Sequence, residues 1–186
     1  MKKIKLDTKD AILQAGFDVF SKNSGASIDK VAKRAGVGRA TLHRYYASRD
    51  ELIEALAWAA MEELNQAVDD AVKDAQSYTE GLRLALEAIV PLSNRQLFLA
   101  NEPLDKHPKI AEAYQKEQQE LITDIEQAKR EGTFSENIPS KWIAESFEAL
   151  TYSAWMMVKN GDATHKQAAD LAWHTLTSGL STPMSK

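Results

Sequence analysis

A chain of 186 residues, 44% of them apolar, is long enough to bury a core as one large or two small domains, which excludes a generally disordered polymer. It has no cysteine, and this excludes disulfides, thiol catalysis and thiolate metal sites. The net charge of −4 taken alone argues against a nucleic-acid partner, but residues 1–50 carry 11 basic and 5 acidic side chains (net +6) and residues 51–186 carry 12 and 22 (net −10), the pattern of a basic DNA-binding module fused to an acidic body.

No apolar run approaches the roughly 20 residues of a membrane span. The basic start, Met1 to Asp7, is not followed by the apolar core of a signal peptide, so a cytoplasmic location is expected. The first helix is predicted from Thr8 as N-cap, with Ala11, Ile12, Ala15, Gly16, Val19 and Phe20 at helical spacing. Asn23-Ser24-Gly25 ends it. Ser27 is predicted to cap a second helix that buries Ile28, Val31 and Ala32, and Gly36 permits a sharp turn. A third helix is predicted from Gly38 to Arg44, followed by Tyr45-Tyr46. Ser48 then caps a long fourth helix, with Asp50 and Glu51 where the helix dipole favours acids and a stripe from Leu52 to Val72.

Further helices are predicted near residues 78–90, 92–100, 109–130, 142–159 and 166–178. Breaks fall at Pro91, Asn101-Glu102-Pro103, His107-Pro108, Gly132, Pro139 and Gly161-Asp162. No stretch alternates long enough for a sheet, so the fold class is all-α: a three-helix N-terminal unit over residues 1–50 and a helical body over 51–186. Residues 181–186 are expected to fray.

Residues 26–46 read as two short helices joined by a tight turn at Ala35-Gly36-Val37, with a strong basic bias. Such a helix-turn-helix places its second helix in the DNA major groove. From Thr8 to Leu52 the chain resembles the N-terminal domain of the TetR family of transcriptional regulators. The resemblance rests on Ile12-Leu13, Ala15, Phe20, Ser27-Ile28, Val31-Ala32, Ala35-Gly36-Val37, Thr41-Leu42 and Ser48-Arg49-Asp50-Glu51-Leu52. Gly38, Ala40 and His43 stand where the family often has Ser, Gly and Tyr, and Tyr46 replaces a common Phe.

Candidate DNA contacts follow from residue chemistry. Arg39, near the start of the third helix, is placed to reach a base edge, with guanine the favoured partner and a phosphate the rival. Gly38 and Ala40 let the backbone approach the groove. Thr41 and Tyr45 offer hydroxyls to phosphates, and Arg44 and Arg49 offer guanidinium groups. Ser27 lies at a helix end that can approach a phosphate. His43 reads equally as a phosphate contact or as a half-exposed polar residue. Lys2, Lys3 and Lys5 form a basic arm suited to the DNA backbone or the minor groove.

The resemblance further implies a homodimer on a double-stranded operator, paired through the last two long helices. Two recognition helices then span half-sites about 34–36 Å apart. The first of the pairing helices carries Ile143, Phe147, Leu150, Ala154 and Met157 on one face, with Trp142, Tyr152, Trp155 and Met156 elsewhere; the second offers Ala168, Leu171, Ala172, Thr175, Leu176 and Gly179. The resemblance also implies a pocket for a small apolar or aromatic effector. Candidate linings are Trp58, Met61, Leu86, Ile89, Leu97, Phe98, Tyr114, Phe147, Leu150 and Tyr152, each of which is also a candidate for plain core.

No cofactor and no metal are expected. The four histidines (His43, His107, His165 and His174) are scattered, and Asp105-Lys106-His107 lacks a third ligand. With no phosphate loop and no nucleophile elbow, an enzyme is not expected. The surviving rival to a ligand-responsive repressor is a helical adaptor that has lost sequence-specific DNA binding, and the intact basic region argues against it.

Overall fold

The computed structural model describes residues 7–103 and 106–179. The lysines of the basic arm, Asp105 and the last six residues lie outside the described residues. Among the described residues there are nine α-helices and no strand: α1 (Thr8–Phe20), α2 (Ile28–Ala35), α3 (Arg39–Tyr45), α4 (Arg49–Val72), α5 (Tyr78–Ile89), α6 (Ser93–Asn101), α7 (Pro108–Arg130), α8 (Ser140–Asn160) and α9 (His165–Ser178). A 3-10 turn at Val90–Leu92 carries Pro91.

The caps explain the boundaries. Asp7, not Thr8, caps α1: its carboxylate accepts the Thr8 N–H at 2.6 Å, so the cap lies one residue earlier than predicted. Ser48 caps α4 by accepting the Glu51 N–H at 3.1 Å, and Glu51 accepts the Ala47 N–H in return. Thr164 and Gln167 form a reciprocal capping box on α9. Glu131, just past α7, accepts the N–H groups of Tyr78 and Thr79 and so ties down the start of α5. These hydrogen bonds, led by that of the Thr79 side chain, hold the Glu131 carboxyl below its usual range.

The chain forms two compact units. The first comprises Met1–Glu63 and Asn94–Glu112, and the second comprises Leu64–Ser93 and Ala113–Lys186. In the first unit α1, α2 and α3 pack in sequence, and Ile12, Phe17, Phe20, Val31, Leu42, Leu52, Ile53 and Leu56 are buried. Helix α6 belongs to this unit. Its Phe98 is fully buried and meets Phe17 edge-on at 5.8 Å and Phe20 at 6.5 Å. Arg95, also buried, lays its guanidinium over the Phe17 ring at 4.6 Å. The same group bonds Glu63 of α4 at 2.9 Å and Gln14 of α1 at 2.7 Å.

In the second unit α8 packs along α9, with α5 against both. One buried cluster gathers Leu86, Val90, Phe147, Ala154, Ala168, Ala169 and Ala172, and another Leu82, Ile125, Ala128, Phe134, Ile143 and Ala144. Small alanines on α9 allow close helix approach. The opposite sides of α8 and α9 leave Trp142, Tyr152, Met157 and Leu171 exposed, Trp142 to 67%.

Gly16 marks a close approach within the first unit. A Cβ there would lie 2.8 Å from Leu56 Cδ1, and Leu56 is fully buried. Gly16→Ala is therefore expected to destabilise the fold by about 1–3 kcal/mol through overpacking. Urea unfolding checks this; an unchanged midpoint would show that α1 and α4 separate freely.

Candidate nucleic-acid interface

The reading element is built from the turn outward. Helix α2 ends at Gly36, whose φ of 71° is left-handed and closes the helix through its own N–H and that of Val37, which reaches the Ala32 carbonyl at 3.0 Å. The chain then extends through Gly38 into α3. Inside α3, Leu42 is buried at 1% exposure and Tyr46 at 4%, and these two anchors set the helix's rotation. Ala40 and Arg44 fall on the far side of the helix from these anchors; Gly38, Arg39 and Tyr45 are exposed as well, and Thr41 and His43 are half-buried.

The surface chemistry is cationic. The Arg39 side chain is 72% exposed, with Nε 3.3 Å from Asp29 of α2. Arg44 lies over the Tyr45 ring at 5.7 Å, an arrangement that stiffens both long side chains. Ser27 stands at the N-cap of α2 but makes no side-chain capping bond, contrary to the capping role read from the sequence. Its exposed hydroxyl remains available to an outside partner. A Cβ at Gly38 would meet only Thr41 Oγ1 at 4.0 Å, so the glycine leaves open surface there and not a tight backbone contact.

Arg49 is differently placed from the other candidate contacts. Its guanidinium donates to the Ser24 carbonyl and to Glu102 at 3.2 Å, and it covers the Phe20 ring at 5.2 Å. Glu102, at the end of α6, has its side chain 4% exposed, and its second carboxylate oxygen has no hydrogen-bond partner among the described residues. Arg49 is thus the charge partner of a buried carboxylate as well as a candidate phosphate contact. Sequence reading did not find this pairing, nor the Arg95 anchor. An arginine and a glutamate bracketing the apolar Leu97-Phe98-Leu99 are the signal that was there to read.

Trp58, Met61, Leu97 and Phe98 belong to the first unit, where Phe98 is occupied by packing between Phe17 and Phe20, and Trp58 is 42% exposed. Leu86, Ile89, Tyr114, Phe147, Leu150 and Tyr152 belong to the second. There Leu86 and Phe147 are core, Ile89 and Leu150 pack at its edge, and Tyr152 is exposed beside Trp155.

Tyr114 is the distinctive member of the second group. Burial, and secondarily the nearby Glu148, push its phenol up to about 12. Glu148 and Glu117 are themselves raised, chiefly by burial. Their hydrogen-bond partners are neutral amides, Gln118 for Glu148 and Asn65 for Glu117. These half-buried carboxylates beside an aromatic ring form no ion pair with a basic side chain among the described residues.

The chain was compared with known proteins. The sequence pattern of bacterial regulatory proteins of the tetR family matches residues 12–56. The HTH-type transcriptional repressor LfrR of Mycolicibacterium smegmatis is 33% identical over 176 residues, covering 94% of this chain and 91% of its own. An uncharacterized HTH-type transcriptional regulator of Bacillus subtilis, YhgD, is 28% identical over 47% of each chain. The crystal structure of LfrR from Mycobacterium smegmatis in complex with proflavine aligns at a TM-score of 0.75 and 30% identity, over 94% of this chain and 97% of that one. The MbdR regulator of Azoarcus sp. CIB aligns at 0.72 with 18% identity, over 95% and 100%, a likeness of fold alone.

Exposed Arg44 and half-buried Arg49 predict different defects. Arg44→Ala is expected to weaken binding to every duplex alike and to lower the slope of log K against log salt by about 1. Arg49→Ala leaves the Glu102 carboxylate unpaired as well. It is expected to lower stability by about 1–3 kcal/mol, read by urea unfolding. A stable Arg49→Ala protein would show that Glu102 does not depend on this partner.

Proposed function

From the premise that this chain belongs to the TetR family of DNA-binding transcriptional regulators, we propose that it is a homodimeric, ligand-responsive repressor of an inverted-repeat operator. The observation that carries this is the exposed cationic face of α3, buttressed from behind by Leu42 and Tyr46. In this reading Arg39 addresses a base edge. Ser27, Thr41, His43, Arg44, Tyr45 and Arg49 address phosphates, with Gly38 and Ala40 giving clearance. Residues 1–50 read DNA, and residues 51–186 bind the effector and the partner.

The dimer reading is supported by the apolar surface of α8 and α9. Trp142, Tyr152, Met157 and Leu171 are large, apolar and exposed on helices whose other sides are already buried. Sedimentation at micromolar concentration is expected to give about twice the chain mass of 20.7 kDa. Leu171→Glu is expected to shift the protein toward monomer. A monomeric wild-type protein would overturn this part of the reading.

The effector is proposed to be a flat aromatic cation. LfrR, a third identical in sequence, is seen with proflavine, a planar tricyclic aromatic that is cationic at neutral pH. In this chain Tyr114 supplies an aromatic ring, and Glu148 and Glu117 supply carboxylates that form no ion pair among the described residues. Because burial raises the Glu148 carboxyl, the folded chain holds that proton more tightly than the unfolded chain. Glu148 therefore lowers stability as pH rises through the window from the ordinary carboxylate range to the raised value. The ionised form, which gains weight as pH rises, is the form that attracts a cation.

Proflavine fluorescence titration tests this. Affinity is expected to rise with pH across that window and level off above it. Glu148→Gln is expected to weaken binding about tenfold (about 1.4 kcal/mol) at pH 7 while leaving the free protein as stable or more so. Equal affinity of wild type and Glu148→Gln would remove the carboxylate from the effector site.

A further inference from the structure

Between Ala26 and Tyr46 there is one acidic residue, Asp29, among five basic ones: Lys30, Lys33, Arg34, Arg39 and Arg44. An acid on a face that meets a polyanion weakens binding to every sequence, since it repels phosphates. Asp29 lies in the first turn of α2, and its Oδ1 is 3.3 Å from Nε of Arg39, the first residue of α3. The two side chains are 55% and 72% exposed, so the pair is too well solvated to matter for folding. Its effect lies in where it holds the arginine.

A guanidinium has five donors in a rigid plane. The contact with Asp29 runs through Nε, at the near edge of that plane. The two Nη groups at the far end are the fork that matches O6 and N7 of a guanine in the major groove. An arginine without a neighbour would sample many rotamers and would approach a base by its side or by its end. A carboxylate against Nε biases the side chain toward the end-on approach before DNA arrives.

We propose that Asp29 is a positioning residue for DNA recognition: it holds the Nε edge of Arg39 so that the terminal fork of the guanidinium meets one base pair of each half-site. The acid thereby exchanges some general attraction for DNA against discrimination at one position. The inference rests on the reading of Arg39 as a base contact and adds the residue that aims it.

The test measures binding of the full-length protein to its best duplex, to all single-base variants of that duplex and to random duplex, for wild type, Arg39→Ala, Asp29→Ala and Asp29→Asn. Arg39→Ala is expected to flatten preference at one symmetric pair of positions. Asp29→Ala is expected to flatten preference at the same positions and to weaken the best duplex on the order of tenfold, while binding to random duplex is unchanged or stronger. Asp29→Asn keeps an oxygen facing Nε and is expected to restore part of the preference.

The inference is overturned if Arg39→Ala flattens a position and Asp29→Ala leaves every base preference intact while tightening all duplexes equally. Asp29 would then be a repulsive surface charge and nothing more. If Arg39→Ala itself changes no base preference, the base-reading role of Arg39 fails, and the role of Asp29 fails with it. Both residues are exposed, so circular dichroism is expected to show all four proteins equally folded.

Discussion

A helix of seven residues does not persist in water by itself, and the proposed reading helix α3 is one. Helix α3 keeps its shape and rotation because Leu42 and Tyr46 are buried at one side of it and Gly36 bends the chain into it from α2. Everything that faces outward is consequent on that burial. Ala40 and Arg44 are exposed because the helical period puts them opposite the anchors, whereas Arg39 is exposed at the first turn of the helix. The placement of α3 is therefore tied to core packing, and a change in the core behind it would shift the proposed reading face without touching that face.

The core behind α3 is not built from the first fifty residues alone. Phe98 comes from α6 and completes an aromatic group with Phe17 and Phe20. Charges bracket that wedge. Arg95 ties the start of α6 to α1 and α4, and Glu102 at its end faces Arg49 at the start of α4. Each of these buried groups has opposite charge within reach, as burial demands. One Glu102 oxygen has no hydrogen-bond partner among the described residues.

Much of this was legible in the sequence, because helices announce themselves through period and caps. The predicted spans match α5 to α9 within two residues at each end, since Pro91, Pro108, Pro139 and Gly161 punctuate the chain. Gly36 and Ser48 also do what their residue types suggest. The misses have a common cause. Asp7 and Thr8 are both good caps, and only backbone geometry decides between them. Arg49 reads as a surface cation until Glu102, 53 residues away, is brought beside it. Residue type alone does not separate Phe98, fully buried, from Tyr152, which is exposed. The contact between Asp29 and Arg39 joins two helices whose relative placement no local pattern gives.

The central claim is that two copies of α3 read DNA sequence. Selection of bound duplexes from a random pool by the purified protein, at near-physiological salt and both with and without proflavine, tests it directly. The account predicts enrichment of an inverted repeat with half-site centres about one helical turn, roughly 34–36 Å, apart. Failure of the folded protein to enrich any sequence under either condition would contradict it and leave a helical adaptor in place of a repressor.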